Sequence, residues 1–241
     1  MKRSAVLLLV FAAVTALGAG QAGAGPTTVV CGQVITQSTH VGNDLTNCPG
    51  DGLVIGADNV KLDLGGHLID GDAINAQTDD GIDNRGGFDN VKITHGTIQQ
   101  FHQGVQLIGA THNKLEHLKV TGNFDGIHLS GSDTNKIAHN DVWGSGSSAI
   151  VLITGSDGNK VYNNNIAGIE PFNSTNLRLD HNDAKHNTVG IELYNTDTSV
   201  LNDNHVRSNT GDGIHSFVGS TAVIAVSVRV VLAKGVPYER V

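Results

Sequence analysis

One short phrase in this 241-residue chain repeatedly places acid and base side chains beside a glycine and an aliphatic residue. It reads Asp80-Gly81-Ile82-Asp83, with Arg85 two residues on, and again Asp125-Gly126-Ile127-His128. Neighbouring carboxylates raise one another's proton affinity, so one can hold a proton while another stays ionised. That is the division of labour glycoside hydrolysis needs. Asp83 and Asp125 are the candidate acid–base pair. His128 is of a type suited to base catalysis, and Arg85 could fork onto a sugar carboxylate. Asp79, Asp80, Gln103 and Gln106 are candidate substrate-binding groups, and Trp143, the only tryptophan, could stack on a sugar face.

These residues are scattered over 65 positions, so something must stack them. Aligning each small residue that precedes an aliphatic gives Leu53, Ile82, Val105, Ile127, Ile150, Ile169, Ile191 and Ile214, at intervals of 29, 23, 22, 23, 19, 22 and 23. A second column is Leu64, Ile93, Leu115, Ile137, Val161, Leu179 and Leu201, and a third is Ile69, Ile98, Val120, Val142, Ile166, Ala184 and Val206. All three columns stretch and shrink together. A period of about 22 residues marks a repeat architecture. Each period holds only short strand signals, punctuated by Asn, Asp, Gly and Ser, with no helical pattern. The fold predicted is all-β: a single-stranded right-handed parallel β-helix of about eight coils, each rung about 4.8 Å from the next.

Stacking turns each column into a strip. One outward strip is Asp83, Gln106, His128, Val151, Glu170, Glu192 and His215. Another, two residues before each aliphatic, includes Asp80, Gln103, Asp125 and Ser148. Polar residues there would equally serve only to keep an exposed strand wetted. Asn140, Asn164, Asn182 and Asn204 form a turn column, expected to adopt left-handed backbone and to hydrogen-bond from copy to copy. Just before it stand His95, His117 and His139, an alternative site for a divalent ion such as copper or zinc; stacking at a turn is the plainer account. Lys114, Lys136 and Lys160 stack similarly, and are expected to be solvated and to offset nearby acids.

The ends read differently. Residues 1–24 have a basic start, an apolar run and a small-residue Ala22-Gly23-Ala24 ending, the pattern of a signal peptide cleaved after Ala24. Residues 25–50 are expected to cap the solenoid, with Cys31 and Cys48, the only cysteines, paired once exported. The solenoid proper is 51–217. Residues 218–241 abandon the Asn/Asp/Gly grammar, and are read as an atypical cap or an aberrant tail. The net charge of −8 and the lack of a basic patch interleaved with aromatics argue against nucleic acid. No later stretch is long enough to cross a bilayer.

The run from Cys31 to Gly71, followed by coils spelled Gly-Ile-x-Leu and Asn-Lys-Ile-x-x-Asn, resembles the bacterial secreted right-handed parallel β-helix repeat proteins. These have the pectin-lyase-like fold and include NosD-type proteins. The resemblance implies a secreted or periplasmic monomer that binds, and as a lyase or hydrolase cleaves, an acidic polysaccharide, with no required cofactor. It equally admits a structural or adhesion rod, or a NosD-like accessory protein with weak metal binding. The Asp-Pro-His phrase of uronate epimerases and the assembled motif set of polygalacturonases are missing.

Overall fold

The computed structural model describes residues 25–72, 78–217 and 219–220, and the backbone of 224–231. The regular structure among these residues is strand, paired in parallel throughout. A nine-stranded sheet carries Gln33–Ile35, Leu53–Ile55, Asp80–Asn84, Gln103–Ile108, Asp125–Ser130, Ile150–Ile153, Ile169–Pro171, Ile191–Leu193 and Ile214–Ser216, in chain order. A larger sheet of 14 strands supplies the other faces of the coil. This is a right-handed parallel β-helix. The first coil begins at Gln33, which pairs with Leu53, inside the segment expected to be a cap. The Cys31–Cys48 disulfide brackets that coil.

The predicted aliphatic columns lie rung over rung. Leu53 pairs with Ile82, Ile82 with Val105, Val105 with Ile127 and Ile127 with Ile150, and the column continues through Ile169 and Ile191 to Ile214. From Leu53 to Ile191 these residues are buried, so each rung covers the apolar face of the next. The second column needs one correction. The partner of Ile93 is Leu62, not Leu64; Leu64 lies beyond the strand Lys61–Asp63, next to a glycine turn.

The Asn column also differs from expectation. Left-handed backbone falls one residue earlier, at His95 (φ 56°), His117 (φ 58°), His139 (φ 58°), Asn163, His181 and Asp203. A single left-handed residue turns the corner, and His, Asn and Asp tolerate that conformation better than bulkier residues. The asparagines face inward as a buried amide ladder. The Asn164 side chain donates to the Ile137 carbonyl (2.9 Å), and its Oδ1 accepts from the Asn140 backbone N–H (2.9 Å). Asn182 and Asn204 repeat the pattern, so the ladder satisfies backbone groups that the corner would otherwise strand.

The glycine of the Asp-Gly-Ile phrase has a steric purpose. A Cβ on Gly126 would lie 2.4 Å from the Ala149 carbonyl oxygen and 2.3 Å from Val142 Cγ1; Gly81 is equally crowded by Gly104 and Ile98. Only a bare backbone fits there, and the aspartate before it is left on the outer face. At the far end, Ile224–Val231 adds a parallel strand to Val200–Arg207. Residues 1–24, and most of the rest of the expected tail, lie outside the described residues.

Candidate functional site

The polar strip of the nine-stranded sheet was expected to be exposed and flat. Over three rungs it is buried instead: Asp80, Asp83, Gln103, Gln106 and Asp125 are all largely withdrawn from solvent, Asp80 to 1 % exposure. Register places Asp80 beside Gln103 and Gln103 beside Asp125, with Asp83, Gln106 and His128 stacked alongside. Arg85 ties the first cluster together. Its guanidinium donates to Asp80 Oδ2 (2.7 and 3.0 Å), to Gln106 Oε1 (2.6 Å) and to the Thr78 carbonyl, and it also lies 3.5 Å from Asp83 and 3.7 Å from Asp51. In the second cluster, His128 Nδ1 lies 3.3 Å from Asp125 Oδ2 and 3.1 Å from the Gln103 amide. His128 Nε2 makes no hydrogen bond within the described residues. Asp125 Oδ1 accepts from the Ser148 N–H, and the Ser148 hydroxyl donates to Glu170.

Burial decides the electrostatics. Asp80 loses its water, and the carboxylates of Asp83 and Asp51 disfavour a further negative charge. Arg85 opposes both effects without overcoming them, and the Asp80 carboxyl is pushed up to about 7. Its Oδ1 is buried and has no hydrogen-bond partner. Asp80 can therefore hold a proton near neutral pH within a cluster of carboxyls, an arrangement that acid–base catalysis can use.

The predicted residues divide three ways. Asp80, Asp83, Arg85 and Gln106 assemble, and Gln103, Asp125 and His128 form the adjoining cluster. Asp83 and Asp125, the expected pair, stand two rungs apart with Gln103 and Gln106 between, about 10 Å along the axis. Asp79 is half-buried at the rim and accepts from the Thr78 hydroxyl (3.2 Å). Trp143 is elsewhere: it belongs to the strand Asp141–Trp143 of the larger sheet and lines a separate cleft. Two participants escaped the sequence reading. Asp51 accepts from the Asp80 N–H (2.8 Å), and its own phrase, Asp51-Gly52-Leu53, is the same signal with Leu for Ile. Phe124 is exposed directly before Asp125 and stacks on His102 (centroids 4.9 Å apart), giving the groove an aromatic bank that was expected of Trp143.

The histidine column forms a true stack. His95 and His117 ring centroids lie 5.4 Å apart, and His117 and His139 lie 5.3 Å apart at 19°. Stacked rings hold their nitrogens side by side and do not converge on a point. His95 Nδ1 instead meets Asp63 (3.2 Å). The lysine column is partly engaged: Lys136 and Lys92 pair with Glu116 (2.7 and 3.2 Å). Burial pushes Glu116 up, but the two ammonium groups outweigh it and hold the carboxyl below its ordinary range.

A family described as "Periplasmic copper-binding protein (NosD)" matches residues 65–225, two thirds of the sequence. The chain belongs to the NosD family. No curated protein sequence matches it. Among solved structures, this NosD-family chain resembles the Dettilon tailspike protein (TM-score 0.64, 16 % identity, covering 86 % of this chain and 55 % of that one). It also resembles the periplasmic alginate epimerase AlgG (0.53, 16 %, 78 % and 46 %) and the catalytic domain of a GH87 α-1,3-glucanase solved with nigerose (0.51, 18 %, 87 % and 40 %). At these identities the likeness is one of fold, and the chain spans about half the length of the structures it matches. The family is periplasmic by description, and no helix among the described residues is long and apolar enough to cross a membrane.

The family name invites a test for copper. Copper favours imidazole, thiolate and thioether donors. Both cysteines of this NosD-family chain are in the disulfide, and its stacked imidazoles do not converge. Among the described residues, one set of three donors lies within 4.8 Å of one another, and it is all carboxylate: Asp51, Asp80 and Asp83. Such oxygen donors suit hard cations, and Arg85 already supplies positive charge among them. The described residues do not fit a copper centre of three converging donors.

Proposed function

We propose that this protein binds a polysaccharide along the nine-stranded sheet and hydrolyses it over the Asp80–His128 groove. The carrying observation is the buried carboxyl of Asp80, pushed up to about 7 and set in one converging group with that of Asp83. Asp80 donates the proton to the leaving oxygen while Asp83 attacks the sugar carbon; water, deprotonated by Asp80, then displaces Asp83 and releases the sugar. This pair takes the place of Asp83 and Asp125, whose two-rung separation of about 10 Å exceeds the roughly 6.5–9.5 Å of inverting enzymes, whereas the donor oxygens of Asp80 and Asp83 lie within 4.8 Å, near the close spacing of retaining ones. Asp125 orients His128, and Phe124 and His102 bank the chain. Solved relatives in fold that are named for alginate and α-1,3-glucan support a glycan as ligand.

The charge of the groove bears on which glycan. Expectation of an acidic chain leaned on a free Arg85, but that guanidinium is already occupied by Asp80, Gln106 and Thr78. Asp51, Asp83 and Asp125 outnumber it. A uronate carboxylate would meet repulsion here, whereas hydroxyls would find acceptors, so the sugar units at the groove are uncharged. A polysaccharide array followed by reducing-end and product analysis tests the reading. Hydrolysis of a neutral glycan that disappears in Asp80→Asn and Asp83→Asn is expected. Retention of glycan without any products would remove the catalytic part, and no retention would remove the whole.

A further inference from the structure

Trp143 does not serve the acidic groove, yet it is 46 % exposed and sits in a cleft of its own. The cleft measures 440 Å³ and is lined by Asp141, Trp143, Asn165, Lys185 and His186, with Gly144 and the aliphatic floor of Ile166 and Ala167. That volume lies in the range of small-ligand sites, about 300–1,000 Å³. Two polar atoms here lack partners. Asn165 Oδ1 is buried in the cleft wall without a hydrogen bond, although its amide nitrogen donates to Asp141, and Ser145 Oγ, two residues from Trp143, is buried and equally unpaired. Native structures seldom leave such atoms unsatisfied unless water, an ion or a ligand reaches them. Lys119 extends its ammonium to 5.6 Å from the Trp143 ring centroid and has no carboxylate partner among the described residues. His186 likewise makes no hydrogen bond there.

We propose that this cleft is a second carbohydrate site, on a different face from the groove, and that it takes a uronate unit of a glycan. Each part of the ligand answers one feature. The apolar C–H face of a pyranose packs on the exposed indole, a large flat apolar surface. A ring hydroxyl donates to Asn165 Oδ1. The sugar carboxylate meets Lys119 at the edge of the cleft, where the ammonium has no ion-pair partner among the described residues. Asp141 keeps its charge while accepting from Asn165, and two lysines, Lys119 at the edge and Lys185 in the wall, stand against it. The inference rests on the reading of the groove only in taking glycans as the ligand class. It gives the chain a holding site for acidic units apart from the place where neutral units are cut.

The single tryptophan makes the test direct, since emission reports this cleft alone. The chain is titrated with mannuronate oligomers of two to six units and, separately, with neutral α-1,3-gluco-oligosaccharides. A saturable emission change with the mannuronate series only is expected. It should weaken at least tenfold in Lys119→Gln, an exposed position whose substitution leaves the fold intact, and should be unchanged in Asp80→Asn. A flat trace with mannuronate, an equal response to neutral oligomers, or an unaltered response in Lys119→Gln overturns the site. A flat trace alongside Asp80-dependent glucan hydrolysis would overturn this site and leave the groove reading standing. A saturable trace without hydrolysis of any glycan would do the reverse.

Discussion

Replacing Asp80 with Asn tests the electrostatic core of the site without relying on any substrate. The carboxyl is pushed from its ordinary 3.8 to about 7 by burial and by the neighbouring carboxylates. Because the folded-state value lies above the unfolded one, the native state binds the proton more tightly. Between those two pH values the folded protein carries more protons than the unfolded chain, so stability falls as pH rises and levels off above about 7. Linkage puts the loss between pH 5 and pH 8 at about 3 kcal/mol. Asparagine has the same shape and does not titrate, so in the variant that loss is absent. The substitution also removes the carboxylate that Arg85 meets once Asp80 ionises, an attraction already contained in the value of about 7; Arg85 keeps Gln106 and the Thr78 carbonyl.

The assay is urea unfolding of wild type and Asp80→Asn at four pH values from 5 to 8, followed by far-ultraviolet circular dichroism and extrapolated to water. The quantity of interest is the difference between the two curves, in which titrating groups that do not interact with Asp80 cancel. Asp44, Asp63, Glu116, Asp180 and Asp183 are held below their ordinary range, so their contributions are present above it and are lost only as pH falls into the acid region, outside the window. The wild type should lose about 3 kcal/mol relative to the variant from pH 5 to pH 8. Parallel curves would mean that Asp80 titrates like an ordinary carboxyl, and the case for it as proton donor would end there.

Four further outcomes are expected. Reducing the Cys31–Cys48 bond, which closes a 17-residue separation, should lower stability by about 3 kcal/mol in equilibrium unfolding. Gly126→Ala should destabilise by about 1–3 kcal/mol or more through overpacking against Ala149 and Val142, and a neutral result would show that the rungs can separate freely. Asn164→Leu should cost roughly 2–4 kcal/mol, because the Ile137 carbonyl and the Asn140 N–H lose their partner in a buried corner; unchanged thermal unfolding would demote the amide ladder. Calorimetric titration with Cu(II) should give the same heat for wild type and His117→Ala, and heat that vanishes in the variant would show the imidazole stack to be a metal site after all.

The architecture was legible because stacking is written into spacing. Ile127 and Ile150 are rung neighbours, as their matching phrases require, and one misplaced entry, Leu64 for Leu62, arose because both are buried and only two residues apart. The turn was legible to within a residue. His and Asn both tolerate left-handed backbone, so composition could not say that the histidines carry it while the asparagines turn inward. The site was less legible. Sequence columns place Asp83 and Asp125 on one wall, but not which carboxylate is buried, and burial is what separates Asp80 from its neighbours. Trp143 was misplaced because an aromatic after a third-column valine belongs to a different sheet from the Asp-Gly-Ile strand, a distinction that depends on where each coil turns.

The longest interval in the first column is the 29 residues from Leu53 to Ile82, and the segment that returns from it borders the Asp80 cluster. Thr78, on the returning segment, supplies the carbonyl that receives Arg85; Asp51, at the start of the same coil, accepts from the Asp80 backbone. The Thr78 carbonyl and a third carboxylate thus add to a wall that is buried on the ordinary rungs as well, at Gln103 and Asp125, and Asp80 is the most deeply withdrawn of the three. Shortening this coil to the common period should uncover Asp80 only in part, because the rungs of Gln103 and Asp125 stay in place, so the roughly 3 kcal/mol pH dependence should shrink without vanishing. If it persisted undiminished in a folded, shortened chain, the burial would come from the rungs alone, and coil length would lose its standing as a mark of the site.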